Sequence, residues 1–407
     1  MTMDGLRQAA SENEAAPPAA APPQRARLLY IDNLRIALTA LVVLHHTAVT
    51  YGNIPAWYYT EPAKDGSGLL LDVFVMFNQA FFMGFFFMIA GYFTPPSYDR
   101  KGGRLFYRDR LKRLGIPLLV FILLIRPMVN FVGFEQFRDR LPYWLYYFVS
   151  WDAGPMWFVE VLLVLAGVYV LIRRRDDRRA GGKADGSAFA AEADHQAAYG
   201  PRRAPDHKPL RPGAIIAFTV ALALATYLWR MLVPTGTYFP VVGLPTPNFL
   251  PQYASFFVIG VLAFRRGWPQ TLSRTAGRVG FTVTAVATLA YLPVLLTSPD
   301  AVDGHGTWQS LANAAWESTF AVGMVIGLTV FFRERLNRQG RAAGFLSRHA
   351  FAVYLIHPPV LVALGFAFRW LHAPAAAKFA LVAALALPLC WAVGYVVRSL
   401  PRADRVL

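Results

Sequence analysis

Cysteine is almost absent from this chain, with one residue, Cys390, among 407. No disulfide framework can form, and a lone thiol in an apolar segment is most simply a packing residue. Charge is scarce as well. Lys, Arg, Asp and Glu together make up 16% of the residues, against roughly 25% in soluble domains. With 56% hydrophobic residues and a mean hydropathy of +0.37, that deficit excludes a soluble globular protein. Acidic residues are the rarer sign, 24 against 40 basic, for a net charge of +16. A basic chain could serve nucleic acid, but the cations lie in the links between apolar runs. No separate basic domain is left to dock on a phosphate backbone, so no nucleic-acid partner is expected. Also missing are a nucleotide-binding glycine loop, a metal-ligand cluster and a Gly-x-Ser-x-Gly elbow. No metal is expected. The Ala- and Pro-rich residues 1–27 lack an apolar core and read as a disordered tail rather than a cleaved signal peptide.

What the chain has instead is long apolar runs. At about 20 residues per crossing, spans are expected at 34–52, 69–93, 114–132, 155–172, 212–232, 249–265, 278–296, 312–332, 349–369 and 375–397. The fold class is therefore all-α, a polytopic membrane helical bundle of about ten transmembrane helices. The stretch 141–151 (LPYWLYYFVSW) is too short to cross and suits the outer interface. Lys and Arg test the topology. About 32 of the 40 fall in the tails and in alternate links, whereas the opposite links hold Lys64, Arg138, Arg140 and Arg369. The positive-inside rule makes both termini cytoplasmic, including tails at 1–27 and 401–407, and the even span count agrees. Residues 173–211, from RRRDDRR to PRRAPDHKP, read as a disordered cytoplasmic linker. The pair Gly323–Gly327 reads as plain helix packing rather than a dimer motif.

Ionisable groups inside apolar spans are costly and usually functional. The first span, DNLRIALTALVVLHHTAVTY, carries Arg35 at its entrance and His45 and His46 along its length. Eleven residues put Arg35 and His46 on nearly one helix face, about 16 Å apart along the axis. Asp32 is placed to cap the helix. Arg35 alone reads equally well as a snorkelling anchor. A neutral imidazole at mid-helix is available to accept a proton, and an interhelical packing bond is its alternative reading.

The link after span two holds seven basic residues between Arg100 and Arg113. Arg110 and Arg113, three apart, share a helix face and can hold phosphates bidentately. A membrane-surface turn near anionic lipids is the plainer alternative. An anionic cytosolic cofactor would explain this pair and Arg35 together. Glu160, one turn after Trp157, could polarise a histidine or orient a hydroxyl, or simply face water. Tyr354 precedes His357 by one turn, and Pro358 and Pro359 free carbonyls that suit packing as well as catalysis. Asn78 and Gln79 interrupt span two. Trp57, Tyr58 and Tyr59 could stack on sugar but read first as an interfacial belt.

These segments, in order, resemble the acyltransferase 3 family of integral membrane acyltransferases, including its glucan succinyltransferase-like branch. The likeness rests on YIDNLRIALTALVVLHH with its Asp-x-Leu-Arg and a His eleven residues on, and on FFFMIAGYF. It rests further on RDRLKRLGIP with Arg110 and Arg113, on the Trp-containing helix with Glu160, and on Tyr354–His357. The chain departs from the family pattern where His45 replaces an aromatic residue and where Trp157-Phe158-Val159 replaces Trp-Ser-Leu. The resemblance implies a membrane acyltransferase domain over 28–400 in the bacterial inner membrane. It implies transfer from cytosolic acyl-CoA, acetyl or succinyl, to a hydroxyl of an outer-face carbohydrate or glycolipid. Arg35, Arg110 and Arg113 would bind the donor, with His46 and Glu160 catalytic, and His45, Asp32, Tyr354 and His357 as further candidates. The reading from a different class is a transporter or flippase for an anionic lipid-linked substrate, with His and Glu relaying protons.

Overall fold

The structure is a computed structural model that describes residues 28–54, 56–181, 209–239 and 243–407. Ten helical segments among them are long and apolar enough to cross a membrane, as the ten apolar runs require. Among the described residues there is no strand, only one isolated bridge between Phe239 and Leu244. The first half comprises α1 (Leu29–Tyr51), α2 (Gly68–Tyr92), α3 (Thr94–Lys101), α4 (Gly103–Phe134), the short α5 (Tyr143–Val149) and α6 (Trp157–Gly181). The second half comprises α7 (Pro212–Leu232), α8 (Leu250–Arg266), α9 (Arg274–Thr297), α10 (Trp308–Arg335), α11 (Arg341–Ala367) and α12 (Ala375–Ser399).

Two local expectations need correction. Asp32 does not cap α1: the helix starts at Leu29, after Leu28, and Asp32 lies inside the first turn, 3.7 Å from Arg35. The earlier start follows from Tyr30 and Ile31, which are buried in the core and pull the chain into the helix. The linker expected over 173–211 does not begin at 173, because α6 continues to Gly181. Arginine is a good helix former, and Arg173 pairs with Asp177 one turn on at 3.7 Å. The rest of that linker to residue 208, and the tail expected over 1–27, lie outside the described residues.

α4 is not a uniform α-helix. It widens into π turns at Leu111–Gly115 and Phe121–Ile125. Each ends just before a proline, Pro117 or Pro127. Proline lacks the N–H that would bond the carbonyl four residues back and its ring crowds that carbonyl, so the turn opens. The first π turn holds Arg113.

α1 and α2 occupy the middle of the bundle. α1 packs against α2, α10, α11 and α12, and α2 also packs against α8 and α10. The α2–α8 crossing is backbone against backbone: a Cβ on Gly260 would lie 2.0 Å from the Met88 carbonyl. Gly323 plays the same part between α10 and α9, where a Cβ would lie 2.6 Å from the Gly280 carbonyl. The small-residue pair thus serves packing within the chain. Asn78 and Gln79 tie helices together, through Asn78 Nδ2 to the Leu41 carbonyl (3.2 Å) and Gln79 Nε2 to the Tyr253 hydroxyl (3.2 Å).

Asn33 Nδ2 donates to the carbonyls of Leu336 (2.6 Å) and Arg338 (2.9 Å), and Arg398 donates to the Arg348 carbonyl. The start of α1 and the end of α12 therefore sit at one end of the bundle, which is rich in arginine. At the other end Asp65 accepts from the backbone N–H of Ser67 (2.8 Å) and of Ala375 (2.9 Å). Hydrogen bonds from Ser67 first, and then from Ala375, hold its carboxyl below the usual carboxylate range.

Candidate active site

Three imidazoles come close together, from two helices far apart in sequence. On α1, His46 Nδ1 lies 2.9 Å from the Val42 carbonyl, to which it donates. With the proton on Nδ1, Nε2 carries the lone pair. On α11, His357 is fully buried, and its Nδ1 donates to the Tyr354 carbonyl at 2.8 Å. That carbonyl is available because Pro358, four residues later, has no N–H to give it. His357 Nε2 is buried without a partner. The His46 and His357 ring centroids are 5.0 Å apart. His45, on the neighbouring face, turns away and stacks on Phe82 at 5.0 Å. The structure thus joins His46 with His357 and leaves His45 against α2.

Trp57 closes this pair from the link after α1. Its ring lies 4.0 Å from His46 and 5.9 Å from His357, nearly parallel to the latter at 18°. The expectation of an interfacial belt fails for Trp57, which folds inward. Its neighbour Tyr58 donates to Asp152 at 3.3 Å, and burial, with Asp152 adding to it, pushes the phenol well above the usual tyrosine range. Tyr58 therefore stays a donor, and the link is pinned to the segment before α6.

A cavity of about 520 Å³ opens on the arginine-rich end and runs toward the imidazoles. α1 lines it with Arg35 and Thr39, α4 with Arg110 and Arg113, and α6 with Phe158 and Leu162. α11 contributes Arg348, Phe351 and Tyr354, so the inner end stops one turn short of His357. Basic groups stand at the mouth and aromatic and aliphatic groups inside. Arg110 Nη2 donates to Thr94 Oγ1 at 2.9 Å, which fixes its guanidinium at the wall. The Tyr354 hydroxyl donates to the Pro155 carbonyl and locks α11 against the start of α6.

Glu160 lies in the first turn of α6, half-buried. Among the described residues no hydrogen bond or ring contact joins it to an imidazole. It is not among the residues that line the cavity, to which its helix contributes Phe158 and Leu162.

No helical period marks Trp57, which is a loop residue. Three further buried cations lie in apolar runs. Arg126, fully buried, bonds Ser150 and Asp152 and lies against the Tyr147 ring; Arg230 bonds Glu317 at 2.6 Å; and Lys378 pairs with Glu61. A scan for single charges inside apolar runs would have found all three. Among the described residues no group of His, Cys, Asp and Glu could hold a metal ion.

No solved structure matches the chain. Among curated relatives, "Glucans biosynthesis protein C" of Escherichia coli strain K12 and its namesake in Escherichia coli O157:H7 are each 23% identical over 361 residues. The same name belongs to a relative from Shigella dysenteriae serotype 1, 23% identical over 363 residues. In each case the match covers 83% of both chains. A family profile described as "Acyltransferase domain" matches residues 28–395, which takes in the His46–His357 pair and the cavity wall apart from Arg398, Val406 and Leu407. With ten apolar helices around that site, the chain belongs to the acyltransferase 3 family of integral membrane acyltransferases.

Proposed function

We propose that this acyltransferase moves an acyl group, acetyl or succinyl, from cytosolic acyl-CoA to a hydroxyl of an extracytoplasmic carbohydrate or glycolipid. The observation that supports this reading is the cavity: basic at its mouth, apolar within, and ending at Tyr354, one turn before His357, whose ring is 5.0 Å from that of His46. A CoA donor has that same order of charge, with phosphates at one end and a thioester on an uncharged arm. Arg35, Arg110 and Arg113 hold the phosphates by charge-assisted hydrogen bonds. His46 Nε2 takes the proton of the acceptor hydroxyl as its oxygen attacks the thioester carbonyl. The C–S bond then breaks, and the departing CoA thiolate recovers a proton from the imidazolium. Glu160 orients the acceptor, and His357 and Tyr354 shape the inner wall. The arginines at the cavity mouth support, by the positive-inside rule, a mouth that opens to the cytoplasm of a bacterial inner membrane. The glucan named in the relatives' titles favours a glucan acceptor.

The test is thioester loss from acetyl-CoA or succinyl-CoA on adding purified protein and an envelope glycan. Acceptor-dependent release of CoA supports the reading. Movement of a substrate across vesicles with no loss of thioester would instead identify a transporter. Mass spectrometry of envelope glycans and glycolipids with and without the gene then gives the acyl mass and the acceptor together.

A further inference from the structure

The cavity has a second basic wall that the Arg110–Arg113 pair does not account for. α4 and α11 touch through the far half of α4, around Phe121–Phe134, and separate toward the arginine-rich end. Both helices line the cavity at that end. Arg110 and Arg113 stand on the α4 side; Arg348 of α11 and Arg398 of α12 stand on the other. Arg398 Nη1 donates to the backbone carbonyl of Arg348, which fixes the Arg398 guanidinium beside the Arg348 main chain. Five arginines and Lys101 line this space, and among the described residues its one lining Asp or Glu is Asp109, engaged by Lys101 at 2.5 Å. Arg35 is paired with Asp32 at 3.7 Å; the arginines of α4, α11 and α12 that share this space repel one another, and an anion between them relieves that repulsion.

The donor head carries its anions in two places, a pyrophosphate and a separate phosphomonoester on the ribose 3′ carbon. Arg110 and Arg113, a turn apart along one helix, present successive guanidinium groups and suit two linked phosphates. Arg348 and Arg398 come from two helices, line the same cavity and are joined through the Arg348 backbone, which suits a single dianionic phosphate. We infer that Arg348 and Arg398 form a clamp for the 3′-phosphate of the donor nucleotide and make the enzyme select CoA thioesters over their 3′-dephospho counterparts. This inference rests on the acyl-CoA reading given above.

The experiment compares acyl-CoA with acyl-dephospho-CoA as donors for the purified full chain in lipid nanodiscs. The wild type is expected to show a KM roughly 10- to 100-fold higher for the dephospho donor, the range that charge-assisted hydrogen bonds to one phosphate supply. In the Arg348→Gln/Arg398→Gln double variant the ratio of the two KM values falls toward one. Arg113→Gln raises both KM values and keeps the ratio, so loss of one wall is told apart from loss of the other. Equal KM values in the wild type, or a ratio that survives in the double variant, overturn the clamp while leaving acyl-CoA as donor. Transfer from neither donor overturns the acyl-CoA reading itself, and the clamp with it.

Discussion

Pro358→Ala should stabilise the protein and slow it, and the two effects have one structural cause. Proline inside a helix costs about 3 kcal/mol through its missing N–H and its clash with the carbonyl four residues back. Here that carbonyl is Tyr354's, and His357 Nδ1 donates to it at 2.8 Å. Alanine would supply a backbone N–H that competes for the same oxygen. A net hydrogen bond of this kind is worth about 0.5–1.5 kcal/mol, so His357 should lose its fixed tautomer and orientation in a large share of molecules. If His357 shapes the reacting site, kcat should fall roughly 3- to 10-fold, because 1.4 kcal/mol is a factor of ten. Thermal unfolding in detergent should meanwhile shift upward. Pro359→Ala is the control. It returns an N–H to the Leu355 carbonyl, to which no imidazole donates among the described residues, and should stabilise without slowing. The assay is CoA release with acceptor present, alongside thermal melting. A Pro358→Ala protein that is more stable and fully active would refute the role given to the freed carbonyl.

Three further outcomes follow from other parts of the site. Arg113→Ala should raise the donor KM by roughly 10- to 100-fold with little change in kcat, since the role proposed for its guanidinium is to hold the phosphates and not the reacting atoms; titrating acyl-CoA in membranes checks it. Trp57→Ala uncovers His46 and His357, so transfer to the acceptor should fall while acceptor-independent CoA release rises as water enters. Arg230→Met leaves Glu317 charged and buried, and should destabilise the protein by about 3–5 kcal/mol. Adding Glu317→Leu should recover much of that loss, and denaturation of both variants in one detergent measures the difference.

The bundle was legible where physics is local. Apolar runs of crossing length located ten helices. The limits of the helices were less legible, because apolar content marks the lipid-facing part and not where hydrogen bonding stops. Arg173 to Gly181 continue α6 through polar residues, and Leu29 to Asn33 start α1 early. The site was half legible. Arg35 and His46 share one helix, so their eleven-residue spacing fixed a relation between them, and the cavity begins at Arg35. His357 meets His46 only by the packing of α11 on α1, a contact across more than three hundred residues that no period records. Trp57 was harder still. An aromatic residue in a link looks the same whether it faces lipid or folds over an imidazole, and Tyr58 bonding to Asp152 decides the matter.

The central claim is that His46 is the base for acyl transfer. Its most direct test is His46→Ala in membranes supplied with labelled acyl-CoA and acceptor, with donor binding followed on the same preparation. The account predicts that transfer is abolished while CoA still binds, because the arginines of the mouth are untouched about 16 Å away along α1. Transfer at near wild-type rate by the His46→Ala protein would contradict it.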